Sequence, residues 1–435
     1  MTKTQKILEQ IRRYESRNVT FIDKDGTWPV IWKKAKGVHV WDVEDKQYLD
    51  LTAAFGVAAA GHANKAVVAA GQRQMKRLLH AMGDVHPHPL KARLCRELSW
   101  LTFEKWSGGR VHGKTILANS GFEAVEAALK TALLATGKPG VIAFEGAYHG
   151  LGYGTLNATE REHFRGPFKP QLAGFGHFVP FPASTAELVL VEKAIHRAFE
   201  KHRAGAILVE PAQARGGIRI PPFQFLSMLR RSCDRYDALL ICDEIYTGFG
   251  RTGKWFACEH SHVVPDLICL GKALTGGFPL SACVGRAKLM DAAWPESSGE
   301  AIHTSTFLGH PVGCAMALSQ IREIRKNELT KRTARLGKIL KASLEGVVSP
   351  SPILRLEARG LGLLAGLELR WKNGSAATDL TLKVVKAMLR RGFILLPEGA
   401  ESNVIGFTPP LVIKAAQLRL AVRALSEEIE NCILR

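Results

Sequence analysis

Five short apolar segments in the middle of the chain are each followed by residues that could take part in chemistry. The pairs are 115–118 with Ser120 and Gly121, 141–144 with Tyr148 and His149, 206–209 with Glu210 and Gln213, 238–242 with Asp243, and 267–270 with Lys272. In an open parallel sheet, ligands bind beyond the C-terminal ends of the strands. If these segments are strands of one sheet, the polar side chains meet at a single edge.

Each of these features has a chemical and a structural interpretation. Gly121 opens a helical pattern, where free N–H groups suit a phosphate, although Ser120 could equally be a plain helix cap. Lys272 is either a solvated lysine or a desolvated amine of lowered pKa that attacks carbonyls. Asp243 could bond a neighbouring N–H or hold a proton on a heterocyclic nitrogen. Tyr148 is either a packing residue or a stacking platform.

The combination favours the chemical interpretation. A phosphate cradle, an aromatic plate, a carboxylate and an amine are the parts that a pyridoxal 5'-phosphate site needs. The lysine forms a Schiff base with such a cofactor, and the carboxylate keeps the pyridine nitrogen protonated, so that the ring accepts electrons. The pattern therefore predicts pyridoxal phosphate as the cofactor.

The elements that must position these residues follow from the alternation of apolar and polar residues. Short apolar runs alternate with helical patterns over residues 72–320, which predicts an α/β fold with a mostly parallel sheet wrapped by helices. Residues 38–51 predict a hairpin. After residue 321 we expect a basic helix, a strand at 361–369 and helices near 378–391 and 414–434. We expect a large domain at 72–320 and a smaller α+β domain built from 1–71 and 321–435.

Composition excludes several classes of protein. The 435 residues are 46% hydrophobic and 23% charged, which is typical of a globular protein and argues against a disordered or fibrous chain. The eight cysteines lack the spacing of zinc or redox motifs, so we expect reduced thiols and no metal. No apolar segment is long enough to span a membrane, and the N-terminus lacks the apolar core of a signal peptide. We therefore expect a cytoplasmic protein.

The net charge of +19 raises the question whether the protein binds nucleic acid. The basic residues are dispersed, and the densest stretch, 322–341, is interleaved with apolar residues. This spacing is typical of a solvated helix face over an apolar stripe. We do not expect a nucleic-acid partner, and a non-catalytic basic binding protein is the competing class. The sequence assigns no role to the excess charge.

These residues resemble those of the class III pyridoxal-phosphate aminotransferases, a fold-type-I group that includes 4-aminobutyrate, ornithine, acetylornithine and ω-amino-acid or amine aminotransferases. The resemblance spans 38–413 and is most specific at 243–253, DEIYTGFGRTG, followed by PDLICLGKALTGGFPLSA. It implies that Lys272 carries the internal aldimine and moves the substrate proton. Asp243 would then pair with the pyridine nitrogen, and Tyr148 and Ile245 would pack against the two ring faces.

The resemblance implies roles for further residues. Gly121 and Phe122 would give backbone N–H groups to the phosphate, with Ser120 beside them. The HTSTFLGHP segment implies that Thr306 reaches the phosphate of a partner subunit, which requires a homodimer with sites at its interface. Three more residues would lie near the cofactor ring or the substrate: His149, Glu210 and Gln213.

Two positions depart from the family pattern. Gly406 stands where many members carry an arginine in the C-terminal motif, and Leu151 stands where others carry one after Tyr-His-Gly. A buried carboxylate without a cationic partner is costly, so the missing arginines bear on the substrate. Either the donor is an amine without a carboxylate near the ring, or Arg215 or Arg219 serves instead, or the reaction is a related one. We take Phe55 as a further candidate substrate contact.

The sequence therefore predicts an aminotransferase. It would move an amino group from an ω-amino acid or amine donor to a 2-oxo acid in two half-reactions. An intramolecular aminomutase is the alternative within the same family.

Overall fold

The N-terminal part of the chain forms a small sheet with a segment from near the C-terminus. The computed structural model describes residues 1–24 and 26–434. Its first strands are β1 (Trp32–Lys36), β2 (His39–Asp42) and β3 (Gln47–Asp50). β2 and β3 pair antiparallel, which confirms the predicted hairpin. The fourth strand, Phe393–Ile394, pairs parallel with β3, so the two ends of the chain share one sheet.

A central sheet of seven strands positions the candidate site. Its strands are β4 (Gly113–Ala118), β5 (Gly140–Phe144), β6 (Gly176–Val179), β7 (Ala204–Val209), β8 (Leu239–Asp243), β9 (Leu267–Leu270) and β10 (Ser281–Arg286). Their order across the sheet is β4-β10-β9-β8-β7-β5-β6. Strands β6, β5, β7, β8 and β9 pair parallel, and β10 is antiparallel to both β9 and β4. The mostly parallel sheet is as predicted, and the five apolar segments end at one edge.

The central strands are apolar on both faces because helices cover both sides of the sheet. On β7, Ala206 and Leu208 belong to a core cluster with helix residues 124–132, whereas Ile207 and Val209 belong to the main core with residues 225–233. All four β7 side chains are buried. A strand packed in this way gives a rigid support for the residue that follows it.

The C-terminal part adds a second antiparallel sheet. Its order is β11-β12-β15-β14. The remaining strands are β11 (Leu354–Leu361), β12 (Leu364–Trp371), β13 (Phe393–Ile394), β14 (Leu396–Glu398) and β15 (Val404–Phe407). The expectation of one strand over 361–369 was wrong, because the chain turns at Gly362, whose φ is +61°. Leu361 therefore ends β11, and β12 begins only at Leu364.

The basic stretch also differs from the expectation. It lies on two helices, α12 (Pro311–Lys326) and α13 (Leu329–Glu345), rather than on one. The chain turns between them at Glu328, whose φ is +45°. The helices are α1 (Lys3–Tyr14), α2 (Ala53–Gly56), α3 (Lys65–Arg77), α4 (Pro89–Ser99), α5 (Lys105–Ser107), α6 (Gly121–Thr136), α7 (Tyr153–Leu156), α8 (Glu162–Arg165), α9 (Leu188–Lys201), α10 (Gln224–Tyr236), α11 (Ala287–Ala293), α12 (Pro311–Lys326), α13 (Leu329–Glu345), α14 (Thr378–Arg390) and α15 (Ala415–Leu434). Among the described residues, none of these helices is both long and apolar enough to cross a membrane. The division into domains at residues 71 and 320 stays a prediction.

Candidate active site

A cavity of about 360 Å³ opens at the C-terminal edge of the central sheet. It brings together most of the residues singled out in the sequence. Its lining is Gly121, Phe122, Tyr148, His149, Gly150, Leu151, Glu210, Ala212, Arg215, Asp243, Ile245, Tyr246 and Lys272. A volume of this size is within the range of small-molecule sites.

Lys272 is separated from the end of β9 by one residue, Gly271, and starts a short helical turn, Lys272–Leu274. Its φ of +41° is a left-handed conformation that non-glycine residues adopt at a cost, and such strain is frequent at functional sites. The Nζ atom lies 4.6 Å from the centroid of the Tyr246 ring. Burial lowers the pKa of Lys272, while the negative charges of Asp243 and Glu210 act against this shift. The amine is therefore easier to deprotonate than a surface lysine.

Asp243 ends β8 and is held on both carboxylate oxygens. Its Oδ2 is 2.8 Å from Nδ1 of His149, and its Oδ1 accepts a hydrogen bond of 3.1 Å from the Ile245 N–H. The backbone N–H of His149 donates to the Thr159 hydroxyl. Within the described part of the chain, the buried Nε2 of His149 has no hydrogen-bond partner. The carboxylate is thus fixed in one orientation at the base of the cavity.

Glu210 follows β7 and connects it to the loop after β5. Its side chain accepts a hydrogen bond of 3.1 Å from the Tyr148 N–H. Burial raises the pKa of Glu210 to about 7, and the nearby charge of Asp243 adds to this effect. Gln213 does not line the cavity, because its amide donates to the Glu145 carbonyl, at 2.9 Å.

The N-terminus of α6 faces the cavity. Glu123 accepts hydrogen bonds from the backbone N–H of Ser120 and from its hydroxyl, at 2.7 and 3.0 Å, and Ser120 lies outside the lining. The first N–H groups of a helix have no carbonyl partner within it, so those of Gly121 and Phe122 are available to an anion. A Cβ atom on Gly121 would lie 3.2 Å from Ile245, so glycine keeps this approach open.

The two candidate arginines point in different directions. Arg215 lines the cavity, with its guanidinium 5.9 Å from the ring centroids of both Tyr148 and Phe55. Arg219 pairs its backbone with that of Gln213 and donates to the Phe181 carbonyl, at 2.8 Å. It therefore lies outside the cavity.

Two other predicted residues also lie outside the lining, and two residues were missed. Phe55 is half exposed, and Thr306 is exposed on the loop before α12.

Tyr246 was not predicted, although the DEIYTGFG segment contains it. Glu398 was also missed: its Oε2 lies 3.4 Å from Nη1 of Arg215, and no motif marks it.

The residues present fit pyridoxal phosphate. Asp243 is a buried carboxylate suited to the pyridine nitrogen, α6 offers N–H groups to a phosphate, and Lys272 is an amine of lowered pKa suited to a carbonyl. These three groups approach one cavity from three different strand ends.

Comparison with known proteins gives the same family over nearly the whole chain. The family model described as aminotransferase class-III matches residues 21–429. The 5-aminovalerate aminotransferase of Pseudomonas aeruginosa is 35% identical over 417 residues, covering 92% of this chain and 93% of that protein. The putrescine aminotransferase of Pectobacterium atrosepticum is 36% identical over 407 residues, covering 92% of this chain and 82% of that protein.

The fold is also similar to that of solved structures. An amine transaminase from an uncultivated Pseudomonas species, crystallised with pyridoxal phosphate bound, superposes with a TM-score of 0.88. It is 25% identical, and the match covers 97% of this chain and 99% of that one. The chain belongs to the class III aminotransferases and is a pyridoxal-phosphate-dependent enzyme.

Proposed function

We propose that this enzyme moves an amino group from an ω-amino acid or amine donor to a 2-oxo acid. The observation that carries the proposal is the approach of the Lys272 amine, the Asp243 carboxylate and the α6 N-terminus to one cavity. The names of the relatives support the donor class, because one acts on 5-aminovalerate and another on putrescine. The lining also contains an arginine, Arg215, that a carboxylate could use.

Lys272 would have two tasks. Its amine would hold the cofactor covalently between turnovers. Once released, the amine would take a proton from the donor carbon and deliver it to the C4′ atom of the cofactor. When bound, the cofactor supplies a ring that stabilises the negative charge left after proton loss. The lowered pKa of Lys272 supports a role as base, because proton transfer is efficient when the pKa is near the working pH.

The other lining residues would bind and orient the cofactor. Asp243 would hold the proton on the ring nitrogen, with His149 fixing the carboxylate by its 2.8 Å contact. Tyr148 and Ile245 would pack against the two ring faces.

The remaining contacts of the cofactor involve backbone and polar groups. Gly121 and Phe122 would bind the phosphate through N–H groups, with Ser120 beside them. Glu210 would lie on the hydroxyl side of the ring, and Gln213 would support the loop behind it.

The working form would be a homodimer. Thr306 lies outside its own cavity and is exposed, which is consistent with a contact to the phosphate of a second subunit. Its loop adjoins an apolar patch: the His80 and Phe307 rings are 5.3 Å apart, and Phe307 is exposed together with Leu79, Met82, Val85 and Ile302. An exposed apolar patch of this kind is typical of a protein interface.

The test replaces the lysine. For Lys272→Ala we expect turnover of 4-aminobutyrate or a simple amine to fall by about 10³-fold or more, because both the covalent contact and the base are lost. Absorbance spectra with added pyridoxal phosphate should still show binding, without the band of the lysine-bound cofactor.

Lys288→Ala is the matched control, because Lys288 is exposed on α11 and does not line the cavity. Full activity of Lys272→Ala would contradict the proposal. Activity of the wild-type enzyme without any oxo acid would indicate an aminomutase instead.

A further inference from the structure

The glycine at position 406 has a structural explanation. Gly406 lies on β15 opposite Leu396 of β14, and a Cβ atom built on it would lie 2.9 Å from Cγ of Glu398. The Glu398 side chain therefore fills the space into which a larger residue at 406 would extend. Next to Arg215, which lines the cavity, the chain therefore carries a carboxylate in place of a cation.

Glu398 is buried and faces Arg215. Its side chain is 5% exposed, and the 3.4 Å separation from Arg215 is long for a charge-assisted hydrogen bond. A buried carboxylate needs a cation nearby, so Arg215 compensates Glu398 in the absence of substrate. The weak geometry leaves the rest of the Arg215 guanidinium available to a second anion.

A third charged side chain, Arg161, lies next to this pair. Its guanidinium is 5.0 Å from the centroid of the Phe164 ring, and the Phe164 and Tyr148 ring centroids are 5.4 Å apart. The Arg215 guanidinium also lies near the Tyr148 ring. Burial and the charge of Arg215 both lower the pKa of Arg161, whereas the charges of Glu398 and Glu160 act in the opposite direction. In the described part of the chain, the half-buried Arg161 guanidinium has no hydrogen bond or ion pair.

Neither guanidinium group beside Tyr148 is firmly paired. Arg215 has the long contact to Glu398, and the charges of Glu398 and Glu160 act on Arg161 without an ion pair to either. A second ammonium, at the far end of a diamine, would be repelled by both guanidinium groups. A carboxylate at the same place would pair with the Arg161 guanidinium and share Arg215.

We propose that Arg161 and Arg215 form a subsite for the distal carboxylate of an ω-amino acid, with Glu398 as the resident counterion of Arg215. The proposal rests on the aminotransferase function above and narrows the donor class within it. Arg161 is the residue that no motif indicated. The subsite would replace the arginines that are missing at Gly406 and Leu151.

The test compares two donors of equal chain length, 4-aminobutyrate and n-butylamine, which differ in the terminal carboxylate. The loss of cofactor absorbance in the donor half-reaction gives a second-order rate constant for each. We expect Arg161→Gln and Arg215→Gln each to reduce the constant for 4-aminobutyrate by about 10- to 100-fold, because a charge-assisted hydrogen bond is lost. The constant for butylamine should change by less than about threefold.

Arg165→Gln is the matched control, because Arg165 lies four residues further on and stacks at 4.8 Å over Phe178 instead. It should leave the preference between the two donors unchanged. Equal losses on both donors, or no loss on either, in the Arg161 and Arg215 variants would overturn the subsite.

Binding of pentanoate, an unreactive carboxylate, to the holoenzyme gives a readout that does not depend on turnover. Calorimetry should show its dissociation constant rising by a similar factor in the Arg161 and Arg215 variants, and an unchanged constant in both would overturn the proposal. If the wild-type enzyme reacts with no donor, the proposed function fails, whereas pentanoate binding still decides whether the subsite exists.

Discussion

At the residue scale, the direction of a side chain matters more than its place in the sequence. Arg215 and Arg219 are four residues apart, yet only Arg215 reaches the cavity, because Arg219 lies in a short two-stranded bridge with Gln213. The direction of the Asp243 side chain also decides what it can contact. Its position after β8 brings it to the edge of the sheet, and the contacts with His149 and Ile245 then orient its two oxygens.

The charge of the Asp243 side chain can be removed without changing its size. For Asp243→Asn we expect kcat to fall by at least about 100-fold, because a neutral amide cannot hold a proton on the ring nitrogen and the cofactor becomes a weaker electron sink. Steady-state kinetics with saturating pyridoxal phosphate measure this effect.

Asp237→Asn is the control, because Asp237 is exposed at the end of α10 with φ of +48°, a conformation that asparagine also tolerates. Near-normal kinetics of Asp243→Asn would show that the carboxylate does not have the proposed role.

At the element scale, close backbone contacts join the C-terminal sheet to the elements around the cavity. Arg251, in the specific DEIYTGFGRTG segment, is fully buried and donates to the carbonyls of Leu363 and Pro409, at 3.0 and 2.6 Å. Burial lowers the pKa of Arg251 to about 10. The turn that contains Gly362 also packs against α13, so this turn is held from two sides.

The prediction at this scale is Gly337→Ala. In an exposed helix this change would stabilise by about 1 kcal/mol, because alanine is the better helix former. A Cβ atom on Gly337, however, would lie 2.4 Å from the carbonyl oxygen of Gly362, on the backbone of that turn. We therefore expect Gly337→Ala to destabilise the protein, with a loss of about 1–3 kcal/mol in the free energy of unfolding.

Thermal or urea unfolding measures the change. Gly346→Ala is the control, because its Cβ atom would meet nothing closer than 3.4 Å and its φ is −79°. A more stable Gly337→Ala protein would contradict the packing of α13 on this turn.

At the scale of the whole molecule, the proposed homodimer makes the active site depend on two chains. The loop with Thr306 is held to a distant segment, 78–88, by a 2.6 Å hydrogen bond from the Thr304 hydroxyl to Asp84. The exposed apolar residues of the two segments thus form one surface. A second copy that covers this surface would bring its own Thr306 towards the neighbouring cavity.

Two measurements test this assembly. Light scattering should give twice the 47.6 kDa of one chain. Co-expression of Lys272→Ala with Thr306→Val should restore activity that neither variant has alone, because a mixed dimer contains one site with both native residues. A monomeric mass, or no gain over the separate variants, would contradict shared sites.

The central strands and the order of the chemical groups along the chain could be predicted from the amino-acid sequence. Buried parallel strands are continuous apolar runs, so β4, β5, β7, β8 and β9 were all recognisable, and the residue after each run could be read off directly. β6 and β10 were not singled out. β6 lies at the sheet edge and carries a histidine, and β10 contains small residues that mark no clear run.

The group of charged side chains around Arg215, by contrast, could be identified only from contacts between distant parts of the chain. Arg161, Arg215 and Glu398 come from three segments that are distant along the chain, and no local pattern joins them. Their meeting depends on the pairing of β14 with β15, where Gly406 leaves room for Glu398, and on the packing of Phe164 against Tyr148. Local periodicity determines which elements form, whereas contacts between distant elements determine which side chains share a site.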